Sequence, residues 1–480
     1  MKPQTPYTKH IISNNLCLKL LIMLILCIQI NKCQCEDETK KTLTLPLKSQ
    51  VIPFGYLPRP PNKLRFQHNI SLTVSITVGT PPQNMTFIID TGSELSWLQC
   101  NTTNRVIPDP LYDPTHLPPY TTTTCSSLTC NMENKTMNRV SSDPFFDPTI
   151  SSSYIPIKCS SPTCMTQTRD FPIPASCDSN KLCHATLSYA DSSSSEGNLA
   201  SDMFGLGSGS DNPRIVFGCM NSTYSSTNSN TTGLMGMNLG SLSLVSQLKI
   251  PKFSYCISGS DLSGVLILGG SNYSWAGSLN YTPLVQISRP LPYFDRAAYT
   301  VRLEGIKVAD KLLNISDTIF VPDHSGAGQT MFDLGTQFTY LLGPAYVVLR
   351  NEFLNQTNNT LRVLDDPNFV FEIAMDLCYR VPSNQSKLPE LPSVSLIFDG
   401  AEMKVSGEQL LYRVPNEIRG NDSVYCFTFG NSDLLGVEAF IIGHHQQQNM
   451  LMEFDIEKSR VGLVDIDCNL VGQRLLGLDN

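Results

Sequence analysis

Two aspartates in closely similar surroundings carry the strongest chemical signal in the sequence. Each follows a short apolar run that is typical of a buried strand, and each precedes a glycine and a hydroxyl residue. A carboxylate at the end of a buried strand needs hydrogen-bond donors around it, and glycine amides and hydroxyls supply them. An aromatic residue, Trp97 or Tyr340, stands seven positions after each acid. The two segments read Phe87-Ile88-Ile89-Asp90-Thr91-Gly92-Ser93 and Thr330-Met331-Phe332-Asp333-Leu334-Gly335-Thr336.

Two copies of one motif predict a pair of carboxyl groups related by a pseudo-twofold axis. Two like charges a few Å apart cannot both ionise, so one member of such a pair keeps its proton. The ionised member can activate a water as a general base, and the protonated member can hydrogen-bond a carbonyl oxygen. This chemistry needs no nucleophilic side chain, no cofactor and no metal. The pair titrates as a unit, and the proton is assigned to neither residue.

With these motifs the chain resembles the pepsin-like aspartic proteases. The resemblance covers about residues 70–468 and includes the opening strand and turn at 79–83 and the flap at 189–191. The segments 176–189 and 441–449 are most similar to the plant nepenthesin-like branch of that family. The resemblance implies a mostly-β, bilobal fold with pseudo-twofold symmetry and an active-site cleft between the lobes.

The resemblance also implies roles for individual residues. Asp90 and Asp333 match the catalytic pair, and Ser93 and Thr336 match the residues that hydrogen-bond the outer carboxylate oxygens. Four residues match the flap and substrate-binding positions, with the Tyr189 hydroxyl expected to reach the indole N–H of Trp97; they are Tyr189, Trp97, Gly92 and Gly335. The cleft is expected to bind several substrate residues and to prefer bulky apolar ones around the scissile bond.

One position departs from the family pattern. The family has threonine or serine at the place of Leu334, and Thr91 fills the matching place in the first motif. In the family these two hydroxyls bond to the opposite loop across the lobe junction. Losing one costs about 1–3 kcal/mol if a buried backbone group is left unpaired. The first hypothesis is therefore a secreted aspartic endopeptidase with an acidic optimum, and the alternative is a catalytically weak binding or regulatory protein on the same scaffold.

Periodicity supports a mostly-β chain with few helices. Residues 70–78 alternate with period two, and short β-type runs recur at 214–217, 264–268, 299–303, 393–398, 423–429, 439–442, 450–454 and 460–464. Helices are predicted at 243–248 and 344–354. The segments 234–236 and 441–443, an apolar pair and a glycine in each half, are expected to support the two acid-bearing loops.

The N-terminus predicts entry into the secretory pathway. Lysines precede an apolar run at 20–30, which is too short to span a bilayer and is followed by a polar region. The domain prediction is a signal peptide at 1–35, a pro-segment or disordered leader at 36–66, an N-terminal lobe at 67–255 and a C-terminal lobe at 256–480. Within the leader, Lys48 is a candidate partner for the catalytic carboxylates. Twelve Asn-x-Ser/Thr sequons fit a secreted glycoprotein of the apoplast, vacuole or endoplasmic reticulum.

A local repeat enlarges the first lobe. Residues 102–130 resemble residues 136–164 with an offset of 34, which predicts a duplicated surface insert at 102–135. Twelve of the 16 cysteines lie beyond the signal region, an even number that favours disulfides over metal sites. By resemblance the pairs are Cys100–Cys219, Cys159–Cys183, Cys164–Cys177, Cys256–Cys468 and Cys378–Cys426. The remaining Cys125 and Cys130, inside the insert, are expected to form a local bridge.

Composition and the remaining motifs exclude several other functions. The net charge of −8 disfavours nucleic acid and anionic membrane as partners. No Gly-x-Ser-x-Gly motif supports a serine hydrolase, and His444 and His445 are interpreted as a polar loop because no ligand of suitable spacing flanks them. The resemblance implies polypeptide substrates, and the chain is expected to be a monomer.

Overall fold

In the computed structural model, the residues that the structure describes are 42–51, 70–101, 145–169, 171–190, 193–207, 212–224, 233–259, 263–271, 273, 275–385 and 387–477. Strands dominate this part of the chain, and they form one large sheet and three smaller ones. The predicted repeat insert at 102–135, with Cys125 and Cys130, lies outside the described residues.

The large sheet collects the strands of the N-terminal lobe and several strands from the later half of the chain. Its members are β1 Leu43–Val51, β2 Ile70–Val78, β3 Gln83–Asp90, β4 Trp97–Gln99, β5 Ile155–Pro156, β6 Ser176–Cys177, β7 Cys183–Ser188, β8 Ser194–Gly205, β9 Arg214–Tyr224, β10 Gly233–Gly236, β11 Lys252–Ile257, β12 Gly264–Leu268, β13 Asn280–Pro283, β27 Met450–Asp455 and β28 Arg460–Asp465. Because β11 pairs with both β12 and β27, segments on either side of the predicted lobe boundary at residue 255 share one sheet.

Three smaller sheets build the C-terminal lobe. The first contains β14 Thr300–Val301, β17 Gln329–Asp333, β18 Thr339–Leu341, β25 Phe429–Asn431 and β26 Ala439–Gly443. The second contains β15 Leu303–Val308, β16 Lys311–Leu312, β21 Val394–Phe398 and β22 Ala401–Val405. The third contains β19 Arg362–Val363, β20 Cys378–Pro382, β23 Leu411–Arg419 and β24 Asp422–Phe427.

Helices are few and short among the described residues. Both predicted helices are present, although the second extends three residues further than predicted. The α-helices are α1 Leu244–Gln247, α2 Gly343–Thr357 and α3 Cys468–Leu476. Single turns of 3₁₀-helix lie at Asp317–Phe320, Gly407–Gln409 and Ser432–Leu435, and a short π-helix lies at Thr163–Gln167. The prediction of a mostly-β, bilobal fold is confirmed.

Strand β1 corrects the prediction for the leader. Its first half pairs antiparallel with β12 and its second half with β2, so it joins two parts of the large sheet. The side chains of Leu45 and Leu47 are 6% and 1% exposed, inside the main core. The alternative of a disordered leader is therefore wrong for residues 43–51. Leu43, Leu45 and Leu47 alternate with period two, but among the prolines and lysines of this region so short a pattern does not predict a strand by itself.

We expect Leu47→Asp to destabilise the protein by about 3–5 kcal/mol, because an unpaired carboxylate would replace a fully buried side chain. The matched control is Lys48→Gln on the same strand, where an exposed side chain predicts a change within about 0.5 kcal/mol. Thermal unfolding of the purified proteins measures both. Equal melting temperatures for the Leu47 variant and the wild type would mean that β1 is not part of the folded core.

Five disulfides lie in the described residues, and two of them differ from the predicted pairing. Cys100–Cys219, Cys256–Cys468 and Cys378–Cys426 form as the resemblance implies, but Cys159 bonds Cys177 and Cys164 bonds Cys183. The predicted pairs Cys159–Cys183 and Cys164–Cys177 are therefore wrong.

The physical reason for the exchanged pairs is burial. Cys164 and Cys183 are 8% and 0% exposed in the same apolar cluster, whereas Cys177 is exposed and Cys159 is half-buried. Each bond thus joins cysteines of similar depth, a property that the spacing of the four cysteines does not reveal.

Candidate active site

Each predicted catalytic aspartate is the last residue of a strand, and each strand is supported in the same way. Asp90 ends β3, which runs parallel to β10 with Gly236 opposite the acid. Asp333 ends β17, which runs parallel to β26 with Gly443 opposite the acid. The two segments predicted to support the acid-bearing loops therefore do so, and the two halves of the site are related by pseudo-twofold symmetry.

The donors around Asp90 are those that the motif predicts. The backbone N–H of Gly92 donates to Oδ1 of Asp90 at 2.7 Å. The hydroxyl of Ser93 donates to Oδ2 of the same carboxylate. The tight turn after the strand folds both donors back onto the acid, which is how the sequence compensates for a carboxylate that is only 8% exposed.

The second acid repeats this arrangement. The backbone N–H of Gly335 donates to Oδ1 of Asp333 at 2.9 Å, and the hydroxyl of Thr336 donates to Oδ2 at 2.5 Å. Each carboxylate thus has one oxygen held by a glycine amide and the other held by a hydroxyl. The equivalent residues in the two lobes differ by a constant 243 positions.

The two glycines also show that the carboxyl groups face each other. A Cβ atom built on Gly335 would lie 2.5 Å from Oδ1 of Asp90, and one built on Gly92 would lie 3.1 Å from Oδ1 of Asp333. The carboxylate of one lobe therefore fills the space beside the glycine of the other lobe. No residue with a side chain fits at position 335 without displacing the acid.

Burial and the neighbouring acid both raise the pKa of Asp90. Removal of the carboxylate from water is the larger cause, and the negative charge of Asp333 is the second. The hydrogen bonds from Ser93 and Gly92 act in the opposite direction but do not cancel the rise. The site therefore favours a state in which the pair holds a proton above the pH at which an ordinary aspartate loses it.

This raised pKa predicts how stability depends on pH. Because the folded state binds the proton more tightly than the unfolded state, the stabilisation is complete below the ordinary aspartate pKa of about 3.9 and is lost as the pH rises through the folded value. Asp90→Asn cannot ionise, so its melting temperature should exceed that of the wild type by about 2–5 °C near pH 7 and by less at pH 4.

Thermal unfolding scans from about pH 4 to 7 measure that difference. Asp310→Asn, which removes a charge from an exposed turn, controls for the overall loss of one negative charge. A difference between Asp90→Asn and the wild type that stays constant with pH would show that burial of the ionised pair carries no cost in the folded protein.

A single threonine hydroxyl crosses from the first loop to the second. Oγ1 of Thr91 accepts a hydrogen bond from the backbone N–H of Leu334 at 2.9 Å and donates to the carbonyl oxygen of Phe332 at 3.4 Å. Thr91 is fully buried, and Leu334 is 1% exposed and packs in the main core. The role that the resemblance implies for Thr91 is thus present, while Leu334 contributes packing in place of a second hydroxyl.

The flap residues also meet as expected. Tyr189 directly follows β7, and its hydroxyl accepts a hydrogen bond from the indole N–H of Trp97 at 2.6 Å. The backbone N–H of Tyr189 donates to the carbonyl of Ser193 at 3.0 Å, which ties the two sides of the β7–β8 hairpin together near its tip. Asp191 lies outside the described residues.

The interpretation of the leader lysine as a partner of the catalytic pair is wrong. Lys48 is exposed on β1, and its carbonyl oxygen accepts a hydrogen bond from the Thr73 hydroxyl. The carboxylates of Asp90 and Asp333 are instead held by the donors of their own loops.

Two further supporting hydroxyls were missed in the sequence. The hydroxyl of Ser96 accepts the N–H of Gly236 at 3.1 Å, and the hydroxyl of Thr339 accepts the N–H of Gly443 at 3.2 Å. The two hydroxyl residues are themselves 243 positions apart, so the offset between the two aspartates would have found them. Asn238 was missed as well; its side-chain amide lies 3.4 Å from the carbonyl oxygen of Gly92, and no repeated motif marks it.

The histidines at 444 and 445 lie inside the C-terminal lobe. Nε2 of His444 lies 3.3 Å from the carbonyl oxygen of Ile70, and Nε2 of His445 lies 3.0 Å from that of Gln409. Burial lowers the pKa of His445 to about 4. Within the described ranges, no group of three or more His, Cys, Asp or Glu side chains is placed to hold a metal ion. The helices in those ranges also include none that is long and apolar enough to cross a membrane.

Comparison with known proteins agrees with the geometry. The family model described as "Xylanase inhibitor C-terminal" matches residues 298–464, and that described as "Xylanase inhibitor N-terminal" matches residues 72–142 and 134–270. The two N-terminal matches overlap at 134–142, beside the predicted repeat. Among solved structures, the chain is similar to that of edgp (TM-score 0.60, 19% identity, 91% of this chain and 96% of that one) and to Basic 7S globulin from soybean (TM-score 0.57, 18% identity, 90% and 98%), which supports the fold.

Curated relatives are similar over most of their length. The chain is 55% identical to Aspartic proteinase PCS1 of Arabidopsis thaliana over 440 residues, 90% of this chain and 89% of that protein. It is 32% identical to Aspartic proteinase nepenthesin-1 of Nepenthes gracilis over 401 residues, 82% of this chain and 77% of that protein. With two facing aspartates on a bilobal β fold and relatives of this similarity, the chain belongs to the pepsin-like aspartic proteases of plants, close to the nepenthesins.

Proposed function

We propose that this protein is a secreted endopeptidase that hydrolyses peptide bonds at acidic pH with a water activated by Asp90 and Asp333. The observation that carries the proposal is the facing pair of carboxyl groups, each oxygen of which is held by a donor from its own loop. The site agrees with general acid–base chemistry, because the pair retains one proton. The substrates are polypeptides, in keeping with the family.

In the proposed mechanism the pair works as one unit. The ionised carboxylate takes a proton from a water molecule between the two acids, and the resulting hydroxide attacks the carbonyl carbon of the peptide. The protonated carboxyl donates its proton to the carbonyl oxygen, which becomes a hydroxyl of the tetrahedral intermediate. Collapse of that intermediate breaks the C–N bond: the leaving nitrogen takes up one proton from the pair, and one hydroxyl of the intermediate returns its proton to the pair as the product carboxyl group forms. The donors at Ser93 and Thr336 keep the carboxylates oriented throughout.

The flap would complete the site when a peptide binds. The Tyr189–Trp97 hydrogen bond fixes the tyrosine ring on the hairpin that carries it. A closed hairpin over the substrate would exclude bulk water, and exclusion of water strengthens the electrostatic interactions of the pair. Strand β10 behind Asp90 is buried throughout, and β26 behind Asp333 is buried at four of its five residues, so closure is expected to move the hairpin and leave the acids in place.

Peptide cleavage at acidic pH tests the proposal. The processed protein should cleave internal bonds of a denatured protein between about pH 2 and 6, and a statine-type inhibitor should abolish the cleavage because its hydroxyl occupies the place of the activated water. Cleavage that a statine-type inhibitor leaves unchanged would exclude the aspartate mechanism. Absence of any cleavage over this pH range would exclude the endopeptidase.

A second candidate function is favoured by Leu334. A catalytically weak binding or regulatory protein could keep the same scaffold, and the leucine removes one of the two hydroxyls that the family uses across the lobe junction. The geometry of the pair argues against it, since both acids and both carboxylate-supporting hydroxyls are in place. Tight binding of an intact polypeptide without its cleavage at acidic pH would favour this second function.

We further propose that the chain enters the secretory pathway and acts in the apoplast, the vacuole or the endoplasmic reticulum as a monomeric, disulfide-bonded glycoprotein. The five disulfides agree with an oxidising compartment. In this proposal residues 1–35 are removed as the signal peptide. The pro-segment is proposed at 36–66, although cleavage at its end would also remove β1 and leave the edges of β2 and β12 that it covers unpaired. Mass spectrometry of the mature N-terminus determines whether β1 is retained.

A further inference from the structure

A loop of the C-terminal lobe runs beside the catalytic pair. Strand β14 pairs antiparallel with β17, and Thr300 lies opposite Met331. Continued by two residues, this register places Ala298 opposite Asp333. The hydrogen bond from the N–H of Phe332 to the carbonyl of Tyr299, at 3.3 Å, supports that continuation. The residues just before Ala298 therefore lie at the edge where the substrate must approach Asp333.

The loop is held at both lobes. The side chain of Gln329, only 1% exposed, accepts the N–H of Asp295 at 2.9 Å and donates to its carbonyl oxygen at 2.7 Å. On the other side, the N–H of Leu239 donates to the carbonyl of Ala297 at 2.7 Å. Leu239 follows Asn238, whose side chain reaches the loop of Asp90. The backbone of residues 295–297 thus spans from the start of the strand that bears Asp333 to the segment that supports the loop of Asp90.

The carboxyl group of Asp295 is both accessible and affected by the catalytic pair. The residue is exposed, and its Oδ1 accepts the N–H of Ala297 at 2.8 Å. Desolvation is nevertheless the largest influence on it and raises the pKa of Asp295, the negative charge of Asp333 raises it further, and the positive charge of Arg296 lowers it. Together with the hydrogen bonds that hold its loop against β17, the influence of Asp333 on this carboxyl indicates a position near the catalytic pair.

The charges at this edge of the cleft are mostly negative. Asp295 adds a third carboxyl to those of Asp90 and Asp333, while Arg296 is the neighbouring positive charge. A cation placed among these groups would gain Coulomb attraction, and an anion would be repelled. The carboxyl of Asp295 therefore lies beside the apolar subsites that the family resemblance implies.

We propose that Asp295 is a specificity residue of the cleft, whose carboxylate favours peptides with a lysine or arginine side chain beside the scissile bond. This inference rests on the proposed endopeptidase function. Asp295 contacts the substrate side chain and takes no part in proton transfer, so its effect should depend on the charge of the peptide.

Matched peptides test this inference at about pH 6, the upper end of the expected range, where the carboxylate of Asp295 is ionised more fully than at lower pH. A parent peptide with apolar residues on both sides of the cleaved bond is compared with derivatives that carry Lys, Gln or Glu at one of three positions on either side. For at least one position, kcat/KM should follow the order Lys, Gln, Glu from highest to lowest. Asp295→Asn should lower kcat/KM for that lysine peptide about fivefold, the size of one partly exposed charge pair, and leave the apolar parent unchanged.

Two further variants sharpen the result. Asp295→Lys should reverse the order and favour Glu, an outcome that a merely structural role would not produce. Asp310→Asn removes a charge from an exposed turn and should keep the wild-type order. Cleavage of the parent without a lysine preference, or a preference that survives in Asp295→Asn, would overturn the inference while leaving the proposed function intact. Failure of the wild type to cleave any peptide would instead refute the proposed function, and the inference with it.

Discussion

Replacing either Asp90 or Asp333 with asparagine is expected to reduce kcat for peptide hydrolysis by at least about 10⁴-fold. An amide cannot accept a proton from water, so the substituted pair loses either its base or the member that donates to the carbonyl oxygen. Each carboxylate is held by a glycine N–H and a hydroxyl, and neither of these groups can replace a carboxylate as the base or the acid. Peptide cleavage at acidic pH under single-turnover conditions measures the loss.

The control and the double variant make this result specific. Asp310→Asn should keep activity within about twofold, since its side chain lies on an exposed turn. Because the two acids act as a unit, the effects of the two substitutions should not add. The double variant Asp90→Asn/Asp333→Asn should therefore be about as active as either single variant. Activity of a single variant within tenfold of the wild type would mean that the pair does not activate the water.

The residues of the catalytic site were easier to predict from the sequence than the strands and disulfides around them, and the reason is physical. Each aspartate needs its donors within a tight turn, so the acid, the glycine and the hydroxyl are neighbours in the chain and form a readable motif. The second copy at a constant offset of 243 then predicted the partner, including the aromatic at Tyr340. The same offset relates Ser96 to Thr339, which shows that the repeat held more information than the motif alone.

Features that depend on distant partners were not predictable in this way. Strand β1 is held by β12 and β2 on either side of it, and the alternation of Leu43, Leu45 and Leu47 is too short to predict a strand by itself. The pairing of Cys159 with Cys177 follows from which cysteines are buried, and burial is set by the packing of the whole lobe. The proposed place of Asp295 in the cleft depends on the packing of its loop against β17 and Leu239, so no local motif marks it.

Thr91→Val is expected to destabilise the protein by about 2–4 kcal/mol and to lower kcat about 10- to 100-fold. Valine keeps the shape of threonine but removes the hydroxyl that accepts from Leu334 N–H and donates to Phe332 O, so two buried backbone groups lose a partner. These groups flank Asp333 in the chain, and the loss should let that carboxylate move relative to Asp90. In a family member with a second hydroxyl at the place of Leu334, that hydroxyl would still hydrogen-bond the opposite loop after Thr91 is replaced.

The paired variants Leu334→Thr and Leu334→Val separate the hydroxyl from the packing. Both shorten a side chain that is 1% exposed in the main core, so both should lose about 1–2 kcal/mol of stability in urea unfolding. Only the threonine places a hydroxyl at this position, so kcat of Leu334→Thr should exceed that of Leu334→Val. When combined with Thr91→Val in one protein, Leu334→Thr should recover part of the activity that Thr91→Val loses. Equal kcat values for the two Leu334 variants would mean that the leucine costs the enzyme nothing and that Thr91 by itself fixes the geometry between the lobes. Higher activity in the threonine variant would show instead that this protein trades catalytic rate for a better-packed lobe junction, since the same substitution would raise the rate and lower the stability.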